Sequence, residues 1–289
     1  MCLYPKLILN KKYVANEKNG GVVPPLLDSR AKYVPVGCQK CYECRKQKAR
    51  NWAVRLTEEL RENRNAIFVT LTFSDESLDE LSLKIAQKDG VFPEGYEGDN
   101  LIAKTAVRYF LERWRKKTKK SVKHWLVPEL GANKWYTERL HLHGILWTKD
   151  IELLGDKWKY GYIYVGDYCN ERSINYAVKY FHKSDKRHPG FTPKILCSPG
   201  IGRAFLDKQD SERNIYAGEN TKDNYRTQGG SKLALPTYYR NHLYNDEQRE
   251  KLWLWRLDKK ERWVMGERID VSENYDDYYG ALRRARKIH

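Results

Sequence analysis

The segment RLHLHGILW, residues 139–147, is the stretch from which both the fold and the chemistry of this chain can be predicted. Side chains alternate between the two faces of a β-strand, so His141 and His143 share one face with Ile145 and Trp147. The leucines between them point to the other face. Two histidines at this spacing can hold one divalent metal ion. The alternative is a half-exposed strand whose histidines bind no metal.

The surrounding segments predict the rest of the fold. Four segments have the composition or alternation that is typical of strands: 67–73, 122–129, 139–147 and 160–165. Three segments place apolar residues at helical spacing: 44–64, 101–119 and 170–183. Asn100 is the expected cap of the second helix. This order of elements indicates an α+β fold, an antiparallel sheet with helices packed on one face.

Composition divides the chain into three consecutive regions. Residues 1–64 contain an irregular arm, a cysteine cluster and an amphipathic helix. Residues 65–188 contain the predicted sheet, in which 74–100 is expected to be a long loop or a short helix followed by a connection. Residues 189–289 form a basic C-terminal extension, and its last basic run is expected to be a solvated tail.

The charge balance indicates an anionic partner. Among 289 residues, 54 are Lys or Arg and 38 are Asp or Glu, which gives a formal net charge of +16. The 21 tyrosines and 9 tryptophans can stack on bases, so DNA or RNA is favoured over a membrane surface. No apolar run is long enough for a membrane span or a signal peptide, so a soluble, intracellular protein is expected. The alternative is that the charge serves solubility and the aromatic residues fill a core.

Three of the six cysteines lie in the segment CQKCYEC, as Cys38, Cys41 and Cys44. In a reducing compartment, thiolates this close together favour a metal ion over disulfides. A structural Zn²⁺ needs a fourth ligand. Cys2 is the candidate, although a histidine could serve, and free thiols are the other interpretation.

The segment INYAVKYFHK, residues 174–183, predicts a helix with two opposed faces. Its apolar face holds Ile174, Ala177, Val178 and Phe181. Its polar face holds Tyr176, Lys179, Tyr180 and Lys183. Tyrosines that belonged to the core would lie on the apolar face instead.

A phenol is a poor nucleophile at neutral pH unless a cation favours its anion or its target is polarised. Lys179 and Lys183 can supply the cation, and a metal ion at the histidines can polarise a phosphate. A third ligand is expected at Glu129, which ends the strand that pairs with the histidine strand across a hairpin. A carboxylate suits Mg²⁺ or Mn²⁺. The alternative is a solvated loop glutamate.

Taken together, these motifs resemble those of the HUH (His-hydrophobe-His) endonucleases. Within that group they are most similar to the replication initiators of gokushovirus-type microviruses, which are small phages with circular single-stranded DNA. The matching segments are 38–45, 68–73, 128–131 with 139–143, 176–180 and 199–203. One departure is Leu140, where the group usually has proline.

The resemblance implies an RRM-like core and rolling-circle replication in the host bacterial cytoplasm. Glu129, His141 and His143 would bind the metal, and Tyr176 or Tyr180 would nick origin DNA and link covalently to its 5′ end. Two tyrosines would let one cleave while the other holds the previous end. Host replication helicase and polymerase are the implied partners. The alternatives are a plasmid relaxase or single-strand transposase, and a non-catalytic zinc-containing protein that binds nucleic acid.

Overall fold

The computed structural model describes residues 2–131, 139–166, 169–182 and 187–288, without the side chains of 180–182. Its helices and strands in chain order are β1 Lys6–Leu9, β2 Tyr33–Val36, α1 Tyr42–Glu62, β3 Ala66–Thr72, α2 Asp75–Asp89, α3 Gly95–Thr118, β4 Lys123–Leu130, β5 Leu140–Trp147, α4 Ile151–Lys157, β6 Ile163–Val165, α5 Glu171–His182, β7 Leu196–Cys197, α6 Gln209–Glu212, β8 Asn224–Arg226, β9 Lys232–Ala234, α7 Thr237–Leu243, α8 Asp246–Asp258, β10 Glu261–Val264, β11 Glu267–Asp270 and α9 Asp276–Ile288. The chain forms two compact units, one of residues 52–204 and one that joins Met1–Asn51 with Phe205–His289. The division into three consecutive regions stays a prediction.

The unit of residues 52–204 is built on a five-stranded sheet in the order β6-β3-β5-β4-β7, with every neighbouring pair antiparallel. The predicted mixed fold with an antiparallel sheet is therefore confirmed. The register places Glu129 of β4 directly opposite His141 of β5, and Thr70 of β3 directly opposite His143. These pairs lie on one face, because directly opposed residues in a sheet point the same way.

Helices cover both faces of this sheet, which corrects the expectation of helices on one face. On one side, β3 and β5 bury Leu71 and Leu142 in a core that includes Phe110 of α3. On the other side, Trp52 of α1 packs against Trp125 of β4, with ring centroids 5.8 Å apart. The strands carry large aromatic residues at the alternate positions too, so a single layer of helices would leave these rings in water.

Residues 74–100 form more regular structure than the sequence predicts. Helix α2 spans 15 residues, begins after a Ser74 cap and ends at Gly90, whose φ of 77° is left-handed. Helix α3 already begins at Gly95, so Asn100 is not a cap. Its side chain is buried inside the helix and donates hydrogen bonds to the carbonyls of Tyr96 and Thr192.

The segment 199–203 has a structural role in the same unit. The backbone N–H of Gly202 donates to a carboxylate oxygen of Glu59 on α1 at 2.8 Å, and Arg55 of α1 donates to the carbonyl of Ile201 at 3.0 Å. Gly200 and Gly202 have φ values of 72° and 75°, a backbone conformation that glycine adopts at little cost. This motif therefore fastens a turn onto α1.

The other unit corrects two expectations about the chain ends. The N-terminal arm is not wholly irregular, because β1 pairs with β2. The basic run near the C-terminus belongs to α9, in which Tyr278, Ala281, Leu282 and Ala285 are buried. The arginines at 283 and 284 line its exposed face. Among the residues described, no helix combines the length and the apolar character that a membrane span requires.

Candidate metal centre and tyrosine site

Glu129, His141 and His143 come together on the face of the sheet opposite the α3 core. One carboxylate oxygen of Glu129 lies 3.3 Å from Nε2 of His141 and 3.1 Å from Nε2 of His143. All three ligand atoms lie within 4.8 Å of one another. Neighbouring ligands of an octahedral ion at about 2.1 Å are about 3.0 Å apart, so this donor set fits one divalent ion. The three residues predicted as ligands are thus brought together.

Both imidazoles are oriented by their other ring nitrogen. Nδ1 of His141 lies 3.0 Å from the carbonyl oxygen of Arg139, which can only accept, so this nitrogen carries the proton. Nδ1 of His143 lies 2.9 Å from the hydroxyl of Thr70. With these partners satisfied, each Nε2 faces Glu129 and is available to a metal ion. Outer contacts of this kind fix the tautomer and the ring orientation of metal-binding histidines.

The ionisation of the cluster suits a cation. Burial of the Glu129 carboxyl opposes its ionisation, but hydrogen bonds from His141 and His143 outweigh burial and lower its pKa to about 2. Burial of His141 favours the neutral ring, and hydrogen bonds to Glu129 and to the Arg139 carbonyl outweigh it and raise its pKa. Glu129 is therefore a carboxylate at any physiological pH, and it holds a proton on His141 until a metal ion replaces that proton.

Gly144, between the two strands of the centre, allows them to approach. A Cβ at this position would meet the backbone oxygen of Trp125 at 2.1 Å and the Cα of Leu126 at 2.8 Å. No other residue fits without moving β4, which carries Glu129. The glycine therefore sets the spacing on which the metal centre depends.

Tyr176 lies on the same side of the sheet as the metal centre. The ring of Phe68 on β3 stacks on His143, with centroids 6.1 Å apart, and meets the ring of Tyr176 edge-on at 5.8 Å. Tyr176 is 51% exposed, so its hydroxyl is open to a substrate. Lys179, one turn later, is also exposed.

The two opposed faces predicted for α5 are confirmed for the side chains that the structure describes. Ile174, Ala177 and Val178 are buried, whereas Tyr176 and Lys179 are exposed. Tyr180 follows Tyr176 by one turn of the same helix, but its side chain, like that of Phe181, lies outside the described residues. Lys183 also lies outside them.

A second candidate metal site lies in the unit that contains the chain ends. The sulfur atoms of Cys2, Cys38, Cys41 and Cys44 lie within 4.8 Å of one another, so the predicted fourth member joins the other three. Cys2 and Cys41 have sulfurs 3.8 Å apart. Tetrahedral zinc with Zn–S bonds of about 2.3 Å places its sulfurs about 3.8 Å apart. Backbone N–H groups point at these sulfurs, including those of Leu3 and Cys38.

This cysteine cluster is part of a hydrophobic core, a feature that the sequence did not predict. Cys41 and Cys44 pack with Leu3, with Ile269 of β11 and with Leu282 of α9. The N-terminal cysteines and the C-terminal helix therefore stabilise each other.

Sequence reasoning also missed the roles of Phe68 and Thr70. Both alternate along the strand 68–73 on the face that carries the histidines, and Thr70 orients His143 while Phe68 links it to Tyr176. Their alternation was visible in the sequence. The pairing of β3 directly with β5 was not, because strand order depends on contacts distant in the chain.

The fold and this site define a class of protein: an antiparallel sheet that carries a two-histidine, one-carboxylate centre beside a tyrosine-bearing helix. Residues 66–185 match a family described as the replication-associated protein ORF2 type. This stretch contains both the centre and the tyrosine helix.

Two relatives carry the same kind of name. The chain is 24% identical over 302 residues to the replication-associated protein ORF2 of Spiroplasma virus 4, covering 94% of this chain and 83% of that protein. It is 26% identical over 175 residues to the replication-associated protein ORF4 of Chlamydia phage 1, covering 52% of this chain and 38% of that protein. The resemblance to replication-associated proteins of gokushovirus-type microviruses is thereby confirmed. No solved structure matches the chain.

Proposed function

We propose that this chain is a rolling-circle replication initiator, an HUH-type tyrosine endonuclease and strand transferase that acts on origin DNA. The observation that carries the proposal is the convergence of Glu129, His141 and His143 beside Tyr176, with Phe68 in contact with both sides. The names of the relatives and the net charge of +16 favour DNA as the partner.

The proposed reaction is an exchange of phosphate esters. The phenol oxygen of Tyr176 or Tyr180 attacks a phosphorus atom of the DNA backbone, and an oxygen–phosphorus bond forms to the tyrosine. The bond between phosphorus and the 3′ oxygen breaks, and that oxygen leaves as a 3′ hydroxyl after taking up a proton. The 5′ end stays linked to the protein as a phosphotyrosine ester. Because one ester replaces another, the strand can be rejoined without ATP.

The residues of the site have distinct roles in this proposal. Glu129, His141 and His143 hold Mg²⁺ or Mn²⁺, which when bound counters the charge that builds up on the phosphate oxygens. Lys179, and Lys183 by its place in the sequence, favour the tyrosine anion. Thr70 keeps Nε2 of His143 available to the ion. The donor set includes two imidazoles, which favours Mn²⁺ over Mg²⁺ at equal concentration.

The paired tyrosines favour a replication initiator over enzymes with a single catalytic tyrosine. Tyr176 and Tyr180 are one helical turn apart, so both can reach one centre in turn. One can cleave while the other holds the end from the previous cleavage. The initiator thereby ends one round of synthesis and begins the next.

The remaining parts of the proposal concern the setting of the reaction. The sheet and its helices correspond to an RRM-like HUH core, the protein acts in the host bacterial cytoplasm, and host helicase and polymerase extend the freed 3′ hydroxyl. We also assign a structural Zn²⁺ to Cys2, Cys38, Cys41 and Cys44, whose sulfur spacing fits that ion.

A labelled-oligonucleotide assay tests the proposal. Single-stranded oligonucleotides tiled over both strands of the phage genome, labelled at the 3′ end, are incubated with the protein and Mg²⁺ or Mn²⁺. The label should move onto the protein in a form that resists denaturant, whereas a 5′ label should appear on a free shorter fragment. His143→Ala should abolish both products while DNA binding persists, and His242→Ala, a histidine of α7, should change neither. If no metal yields an adduct and binding persists, the chain is a non-catalytic DNA-binding protein.

A further inference from the structure

Two exposed tyrosines line the edge of the sheet on the face that carries the metal centre. Tyr164 of β6 lies directly opposite Thr70, which lies directly opposite His143. Tyr162 precedes it by two residues and is therefore on the same face. The two side chains are 68% and 88% exposed. Large aromatic side chains rarely stay this open unless a partner covers them.

The backbone beneath these rings is fixed. The hydroxyl of Thr72 donates to the carbonyl of Tyr162 at 3.1 Å and accepts from its N–H at 2.8 Å, and the N–H of Thr72 donates to the same carbonyl at 2.9 Å. Gly161 allows this approach, because a Cβ there would meet the backbone oxygen of Thr72 at 2.6 Å. The Tyr162 ring therefore extends from an anchored strand.

An open groove connects this edge to the tyrosine helix. It has a volume of about 600 Å³ and is lined by Phe68, Tyr164, Gly166, Arg172, Ser173, Asn175, Tyr176 and Lys179. Arg172 and Lys179 are exposed cations, and none of the lining residues among those described is acidic. The groove thus combines aromatic rings with positive charge and opens beside the proposed nucleophile.

We infer that Tyr162 and Tyr164 stack on the bases of single-stranded DNA next to the phosphate that is cleaved, while Arg172 contacts its backbone. The inference rests on the proposed function for the position of the cleaved phosphate. Two strand spacings separate Tyr164 from His143, roughly 10 Å, which a stacked strand at about 3.4 Å per nucleotide crosses in about three nucleotides.

Single-stranded DNA suits this groove better than a duplex or a protein. Aromatic rings can stack only on bases that are unpaired and turned outward, and such stacking tolerates any base sequence. Cations beside the rings match the charge of a DNA backbone, whereas an acidic peptide would leave the rings without a π-face to pair with. Tyr162 and Tyr164 are thus positioning residues for the substrate strand.

The experiment measures binding of a labelled 12-nucleotide single strand by fluorescence anisotropy, in EDTA so that no cleavage occurs. Tyr164→Ala and Tyr162→Ala should each weaken binding roughly 5- to 100-fold, the range found when a stacking ring is removed. The corresponding phenylalanine variants should restore it, because the ring is kept. Tyr279→Ala removes a tyrosine of similar exposure from α9 and should leave binding unchanged. Binding of the same sequence as a duplex should change little in every variant.

Adduct formation in Mn²⁺ separates this inference from the proposed function. If the wild type forms the adduct and the alanine variants bind single strands normally, the inference is wrong and the proposed function stands. If the wild type forms no adduct but Tyr164→Ala weakens binding and phenylalanine restores it, stacking is supported and the proposed nuclease function fails. At saturating DNA, Tyr164→Ala should form the adduct at the wild-type rate, since the ring positions the strand and does not react. A wild type that does not bind single strands would overturn the inference as well.

Discussion

Replacing Thr70 with valine tests how the metal centre is built, because it removes one hydroxyl and keeps the shape of the side chain. In the structure that hydroxyl lies 2.9 Å from Nδ1 of His143, and it is the contact that directs Nε2 towards Glu129. Without it, His143 can rotate or bind its proton on Nε2, where the metal ion must bind. Thr70→Val should therefore weaken metal binding without unfolding the protein.

The magnitude follows from outer contacts to metal-binding histidines, whose loss typically weakens metal affinity about 10- to 100-fold. That range corresponds to about 1.4 to about 2.8 kcal/mol of binding free energy. One hydrogen bond of three that orient the centre is lost, since Nδ1 of His141 keeps the Arg139 carbonyl and Glu129 keeps its place opposite His141. We therefore expect the lower half of the range, about tenfold.

Isothermal titration with Mn²⁺ measures this change directly, and Thr72→Val is the matched control. Thr72 lies two residues further along the same face of β3, but its hydroxyl bonds to the backbone of Tyr162. The control should keep wild-type affinity for Mn²⁺. Equal affinities of Thr70→Val and the wild type, or equal losses in both variants, would refute the idea that the Thr70 hydroxyl sets the orientation of His143.

Three further predictions concern the two metal sites and the sheet. The affinity for Mn²⁺ should fall as the pH drops, starting above the usual histidine range because the pKa of His141 is raised, with no second loss near pH 4 because the pKa of Glu129 is about 2; titrations from pH 8 to pH 5 that give a constant affinity would contradict this. Gly144→Ala should cost about 1–3 kcal/mol of unfolding free energy or more, and should also weaken Mn²⁺ binding, because a Cβ would push β4 away; urea unfolding and metal titration check both, and an unchanged midpoint would be inconsistent with the observed spacing. Purified protein should contain one zinc ion, measured by elemental analysis, and Cys41→Ser should lose it along with thermal stability while Cys197→Ser keeps both; a wild type without zinc would rule out the structural site.

The sequence predicts those parts of the fold whose signals are local. The alternation in residues 139–147 and 67–73 is strong, so the central strands β5 and β3 lie where the pattern indicates. The two faces of α5 follow from the spacing of Ile174, Ala177 and Val178, and burial confirms them. Local spacing also brings His141 and His143 to one face before any strand pairing is known.

Other features depend on contacts between distant parts of the chain, which a single sequence does not display. The buried positions of α2, such as Leu81 and Ile85, are separated by many charged residues, so the helix was expected to be short or absent. The basic residues of α9 concealed Leu282, whose burial depends on the N-terminal cysteine cluster. The contact of Thr70 with His143 depends on strand order.

The residue that becomes linked to DNA is the most direct test of the central claim. Trypsin cleaves after Arg172, Lys179 and Lys183, so it places Tyr176 in the peptide 173–179 and Tyr180 in the peptide 180–183. Mass spectrometry of the digested adduct should find the nucleotide mass on one of these two peptides, and Tyr176→Phe or Tyr180→Phe should then remove it from the corresponding peptide. A nucleotide mass on any other peptide, or no adduct with Mg²⁺ or Mn²⁺, would contradict the proposed mechanism.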